Sequence, residues 1–149
     1  MKHNATAVPS AISVCLIALF VAGGCATSEI RPVEIFPEDN CAQCRMMISD
    51  EHFASEIIDQ NGEALKFDDL GCMVKYRSHH ADLKILAIFL KDYSTKRWIP
   101  YERASIVETN VETPMGSGKV AFADPAEARV FQNHNPKDAG AGDVATCCE

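Results

Sequence analysis

The chain has 149 residues, 21 acidic and 14 basic, with a net charge of −7. That length allows one domain around a single core and little more. An acidic chain repels phosphate backbones, which argues against a nucleic acid as partner; it suits a cationic cargo or a basic docking partner.

Residues 1–24 read as a lipoprotein signal peptide. Lys2 and His3 form a polar start, Ala11 to Ala22 is almost wholly apolar, and Gly23 and Gly24 precede Cys25. A charged start, a short apolar run and a small-residue exit make an export signal. The run falls short of the roughly 20 apolar residues a membrane-spanning helix needs. Ala22-Gly23-Gly24-Cys25 resembles the bacterial lipobox, in which the cysteine is acylated after cleavage. The alternative is an ordinary signal peptide cut near Ala26. A lipid-anchored protein on the periplasmic side is therefore expected. Ala26, standing where Asp would retain the protein at the inner membrane, points to the outer one.

Residues 25–40, with Pro32, Pro37 and several glutamates, read as a flexible tether. The folded domain is expected over 41–136. Asn61-Gly62 between two apolar-bearing runs predicts a hairpin of strands 54–59 and 63–67. Asp68 or Asp69 then caps a helix to about His79, with Leu70, Met73, Val74 and Tyr76 as its apolar stripe. The continuous apolar run 84–90 fits a central buried strand. Shorter strands are expected over 96–101, 104–108 and 119–123. Asp124-Pro125 opens a second helix that ends near His134, because Pro136 cannot continue it. The fold class is α+β, with two β-β-α(β)-type halves around a small antiparallel or mixed sheet. Residues 137–149, rich in Gly and Ala, read as a disordered tail carrying Cys147-Cys148.

Setting aside Cys15 in the signal and Cys25 at its end, five of the seven cysteines remain: Cys41, Cys44, Cys72, Cys147 and Cys148. An odd number in an exported protein invites a reactive thiol or a metal ligand. Cys41-Ala-Gln-Cys44-Arg-Met46-Met47 gathers two thiols and two thioethers. A redox pair normally opens a helix after a strand, whereas this pair follows a tether and precedes a hairpin. Zinc needs four Cys or His ligands, and Cys72 with His79 or His80 is the available complement. Haem attachment is excluded, since Arg45 stands where Cys-x-x-Cys-His needs histidine. Copper(I), a soft ion, takes both thiolate and thioether. In a strand-like segment Cys44 and Met46 would point to the same side. Met115, between Pro114 and Gly116, is a thioether presented by a loop.

Cys41-x-x-Cys44-x-Met46-x-Ile48, then Phe67-Asp68-Asp69-x-x-Cys72-Met73, then Pro114-Met115-Gly116 and Ala121-Phe122, resemble the NosL family, accessory lipoproteins of nitrous oxide reductase. The resemblance runs from Cys41 to His134. It implies a non-catalytic copper(I) chaperone that passes copper to the periplasmic reductase, in concert with a membrane ABC-type transporter complex. It also implies an α+β fold distantly similar to organomercurial lyase, with Cys44, Met46 and Met115 as copper ligands. Cys41 stays open between a fourth ligand and a disulfide partner of Cys44. Asp68, Asp69 and Cys72 are assigned to capping and packing. The chain departs from the family at Arg45, where glycine is usual, and at His134-Asn135-Pro136, where His-Gly-Gly is usual. Alternatives are a thiol–disulfide oxidoreductase using Cys41 and Cys44, a general copper-trafficking module, and a zinc-binding module.

Overall fold

The computed structural model describes residues 29–137; the signal peptide, Cys25 and the Cys147-Cys148 tail lie outside the described residues. Strands β1 (Ser55–Asp59) and β2 (Ala64–Phe67) form the antiparallel hairpin that Asn61-Gly62 predicts. Its turn is built on Asp59, whose carboxylate accepts N–H bonds from Asn61 and Glu63, both at 2.8 Å. Of the Asn-Gly pair only Gly62 takes a positive φ, 80°.

Helix α1 (Leu70–His79) follows directly, capped by Asp69 rather than Asp68. Leu70, Cys72 and Met73 are buried and Tyr76 is half-buried, whereas Val74 is 51% exposed. At 3.6 residues per turn the buried stripe is thus centred between Cys72 and Met73. It is rotated from the expected one, and Cys72 takes the place expected for Val74.

Strand β3 (Ile85–Lys91) pairs with β1, and β4 (Trp98–Pro100) with β3, both antiparallel, giving the order β2-β1-β3-β4. The run 85–91 is central as expected, though only Ile88 onward is buried. Strands β5 (Ser105–Glu108) and β6 (Lys119–Phe122) make a separate antiparallel pair. Helix α2 (Pro125–His134) packs against that pair, capped by Asp124, with Pro125 in its first turn. The two β-β-α halves are therefore β1-β2-α1 and β5-β6-α2, and β3 and β4 widen the first sheet.

Each half has its own core. One gathers Ile57, Phe67, Leu70, Met73 and Leu90 under α1 and includes Cys41 and Cys72. The other packs Phe53, Val120, Phe122 and Ala128 with Tyr93 and Phe131. Within the stretch read as tether, Ile35 is buried in the first core, and the N–H of Val33 donates to Glu56 Oε1 at 2.9 Å. Lys66 Nζ reaches the Glu34 carbonyl at 2.6 Å, holding this segment along β2. No helix among the described residues is long and apolar enough to cross a membrane.

Candidate metal centre

Four elements converge on one corner of the first core. A loop closed by bridge pairing of Asn40 with Met47 carries Cys41 and Cys44. Within it the Cys41 N–H donates to the Met46 carbonyl at 2.8 Å, and the Arg45 N–H to the Cys41 carbonyl at 3.0 Å. The Ala42 N–H donates to the Lys66 carbonyl at 2.8 Å, seating the loop against β2. Asp68 stands where β2 gives way to α1, and Cys72 lies in the first turn of that helix.

One side-chain ligand atom from each of Cys41, Cys44, Asp68 and Cys72 falls in a cluster with no separation above 4.8 Å. Cys41, Asp68 and Cys72 are buried, and Cys44 is half-buried. The Cys44 thiol donates to Asp68 Oδ2 at 3.5 Å. The other oxygen of Asp68, Oδ1, is buried with no hydrogen-bond partner. Burial pushes the Cys41 thiol up to about 11, against the pull of nearby backbone N–H groups. Burial raises Cys72 further, helped by the charges of Cys41 and Asp68. Both thiols are therefore protonated at neutral pH, and a cation entering the cluster would displace those protons.

The fourth element is the loop 113–118. The Thr113 hydroxyl donates to Asp69 Oδ2 at 2.6 Å, and the Met115 N–H donates to the same oxygen at 3.1 Å. Asp69 Oδ1 caps α1 by accepting from the Gly71 N–H at 2.5 Å. One buried carboxylate thus fastens the methionine loop to the helix start. Burial pushes its pKa up, but hydrogen bonds from Ser117, Thr113, Gly71 and Met115 outweigh that and hold it below the usual carboxylate range. Gly71 makes the close approach possible: a Cβ there would lie 2.6 Å from Ser117 Cβ. Gly118, at φ 63°, lies against the Thr109 carbonyl, which a Cβ would meet at 2.4 Å.

Met115, 45% exposed, consequently opens onto the same cavity as Cys44. The cavity, of about 320 Å³, is lined by Gln43, Cys44, Gly71, Cys72, Lys75 and Met115. Of the residues singled out in the sequence, Cys41 and Cys44 lie in the thiol cluster and Met115 stands at its mouth. Met46 is not among the cavity's lining residues and is 48% exposed. The strand-like alternation expected for Cys44 and Met46 is absent, because the chain turns at 42–44 and Arg45 takes φ 66°. Cys72, assigned to packing, is a member of the cluster. His79 and His80 sit at the opposite end of α1 from Cys72 and join no metal-binding group among the described residues. The signal that places Cys72 is its position three residues after the capping Asp69, on the helix turn that faces β2.

The NosL family model matches residues 32–142. No curated protein matches the chain. Among solved structures the fold is similar to the copper chaperone NosL from Shewanella denitrificans, with a TM-score of 0.64 at 15% identity. That match covers 71% of this chain and 88% of the other.

Proposed function

Given that the chain belongs to the NosL family, we propose that it is a copper(I) chaperone and not an enzyme. In this proposal residues 1–24 are removed, Cys25 is acylated, and the domain works at the periplasmic face of the outer membrane. Its cargo goes to assembly of the copper sites of nitrous oxide reductase, with an ABC-type transporter complex as membrane partner.

The observation that carries this reading is the shared cavity of Cys44 and Met115, two soft sulfur donors brought together from segments some 70 residues apart in the chain. A soft monovalent ion favours thiolate and thioether together, and neither histidine nor a second thioether is required to start. Cys44 is the anchoring thiolate and Met115 the loop-borne thioether. Cys41 supplies a further thiol from beneath, and Met46 is a ligand that closes from the exposed side of its loop. Donors at a half-exposed cavity mouth suit stepwise transfer to a partner, which a closed four-sulfur cage would oppose. An oxidoreductase role for Cys41 and Cys44 is less well supported. An attacking thiol needs a depressed pKa and access, and Cys41 is fully buried with its pKa raised to about 11.

The test is Cu(I) competition with a chromophoric chelator on the reduced chain. Cys44→Ser should weaken binding about a hundredfold, or about 2.7 kcal/mol. Met115→Leu should weaken it about tenfold while changing apo stability by less than about 1.5 kcal/mol, since the swap conserves volume. Wild-type affinity in Cys44→Ser would remove the central ligand and the proposal with it. Copper-replete nitrous oxide reductase from cells lacking this chain would remove the assigned client.

A further inference from the structure

We infer that the domain rests on the lipid bilayer by one defined face, carrying Val33, Phe36 and Met47, and does not swing free of its anchor. The inference rests on acylation of Cys25 in the proposed function, and adds to it a second contact with the membrane.

The length of the leash is the first support. The stretch 25–40 reads as a tether in the sequence, yet from Val33 onward it is fastened to the domain. The Val33 N–H is held by Glu56, the Glu34 carbonyl takes the Lys66 ammonium, and Ile35 is buried. From Cys25 to Val33 the chain takes eight steps, which reach at most about 29 Å when fully extended. That is no more than the width of a domain whose radius of gyration is about 13 Å. An anchor at Cys25 therefore keeps the end of the domain that bears Val33 at the membrane.

The second support is what that end presents. Ile30, Val33, Phe36 and Met47 are 40%, 42%, 50% and 59% exposed. The Asp39 N–H donates to the Phe36 carbonyl and the Ile48 N–H to the Asp39 carbonyl, both at 2.9 Å. These bonds fold the segment against the Cys44 loop, so that Phe36 and Met47 line one depression of about 260 Å³ with Ile35, Pro37 and Ile48. The carboxylate among its lining residues, Glu51, is paired with Lys91 at 2.7 Å. Exposed apolar surface of this kind marks a protein or a membrane contact. The leash decides between them, because it holds this face beside lipid continuously, and apolar side chains there sink into the headgroup boundary. Glu34 and Glu38 are exposed and have no ion-pair partner among the described residues. The face thus suits zwitterionic lipid and is repelled by an anionic surface. Because Met47 closes the loop that carries Cys44, copper is presented close to the membrane surface.

The test uses the full acylated chain in phosphatidylcholine vesicles, with and without brominated acyl chains, which quench tryptophan at membrane contact. The chain has one tryptophan, Trp98, on β4, at the opposite edge of the sheet from β2, along which the segment lies. Bromination should leave the wild-type emission unchanged and quench the emission that Phe36→Trp adds. Met47→Asp in the Phe36→Trp background should abolish that quenching, and phosphatidylglycerol in the vesicles should reduce it. Both substitutions fall on exposed side chains, and unchanged Trp98 emission reports that each variant has folded. Quenching of Trp98 in the wild type would put another face on the bilayer and overturn the proposal. So would an acylated chain whose Phe36→Trp emission is indifferent to bromination, whether that face is left in water or taken by a protein. Mass spectrometry of the membrane-extracted chain separates the two readings: an unmodified Cys25 removes the anchor, and this proposal with it.

Discussion

At the scale of single residues the most informative departure is Arg45. It holds φ 66° between Cys44 and Met46, where the side chain of an L-residue crowds the backbone at a cost of about 1–2 kcal/mol. The conformation is imposed by the loop: its ends are tied by the Cys41–Met46 and Asn40–Met47 pairings, and the Arg45 N–H closes back on the Cys41 carbonyl. Arg45→Gly should therefore be at least as stable as the parent, since relief of strain offsets the added freedom of the unfolded chain. Arg45→Val, β-branched in a left-handed position, should lose about 2 kcal/mol and lower Tm by roughly 8 °C or more. Thermal unfolding of the two apo variants checks this, and equal Tm values would show that the loop relaxes freely. The same residue marks a limit of the sequence. Cys44-x-Met46 reads as two sulfurs on one side of a strand, and nothing local reports that closure of the loop by Asn40 and Met47 turns the chain between them.

At the scale of elements, the parts legible in the sequence are those whose signals are local. Asn61-Gly62 marks its hairpin because the turn needs a positive φ that glycine supplies. Asp124-Pro125 marks the start of α2 because cap and first-turn proline act within a few residues. The rotation of α1 that buries Cys72 and exposes Val74 is set by what lies across from it, so it was not legible. Neither was the docking of the loop 113–118 on the start of α1, which depends on Gly71. Alanine in place of a helical glycine ordinarily stabilises, by up to about 1 kcal/mol in a helix interior and less in the first turn, where Gly71 lies. Here a Cβ would meet Ser117 Cβ at 2.6 Å and Asp69 Oδ1 at 2.9 Å, so the loop must withdraw and take Met115 with it. Gly71→Ala should lower Cu(I) affinity about tenfold, and adding Ser117→Gly should restore most of it. An affinity unchanged in the single variant, or unrescued in the double, would mean that the loop's seat on α1 does not set the position of the thioether.

At the scale of the whole molecule, an acidic chain has buried one carboxylate beneath the sheet that carries the site. Glu56 is fully buried; Oε1 accepts the Val33 N–H, and Oε2 has no partner. Burial pushes its pKa up, and neither the Val33 N–H nor the charges of Lys66 and Lys91 bring it back to the ordinary glutamate value. A raised carboxylate pKa means that the folded state keeps a proton which the unfolded state has released. Stability is therefore lost as pH rises from the ordinary glutamate range through the raised value. Asp69 acts in the opposite sense: its lowered pKa contributes stability above the ordinary aspartate range that disappears as pH falls through the folded value. Glu56 binds Val33, one of the residues by which the segment leading from the proposed anchor joins the domain. Glu56→Gln keeps an oxygen to accept that N–H and removes the titration. It should stabilise the apo domain at pH 7 by about 1 kcal/mol, roughly 5 °C in Tm, and by much less near pH 4, where the glutamate is itself protonated. Tm measured across that range decides the matter. A gain independent of pH would locate the effect in packing, and a loss at pH 7 would mean that the carboxylate is held charged by a partner.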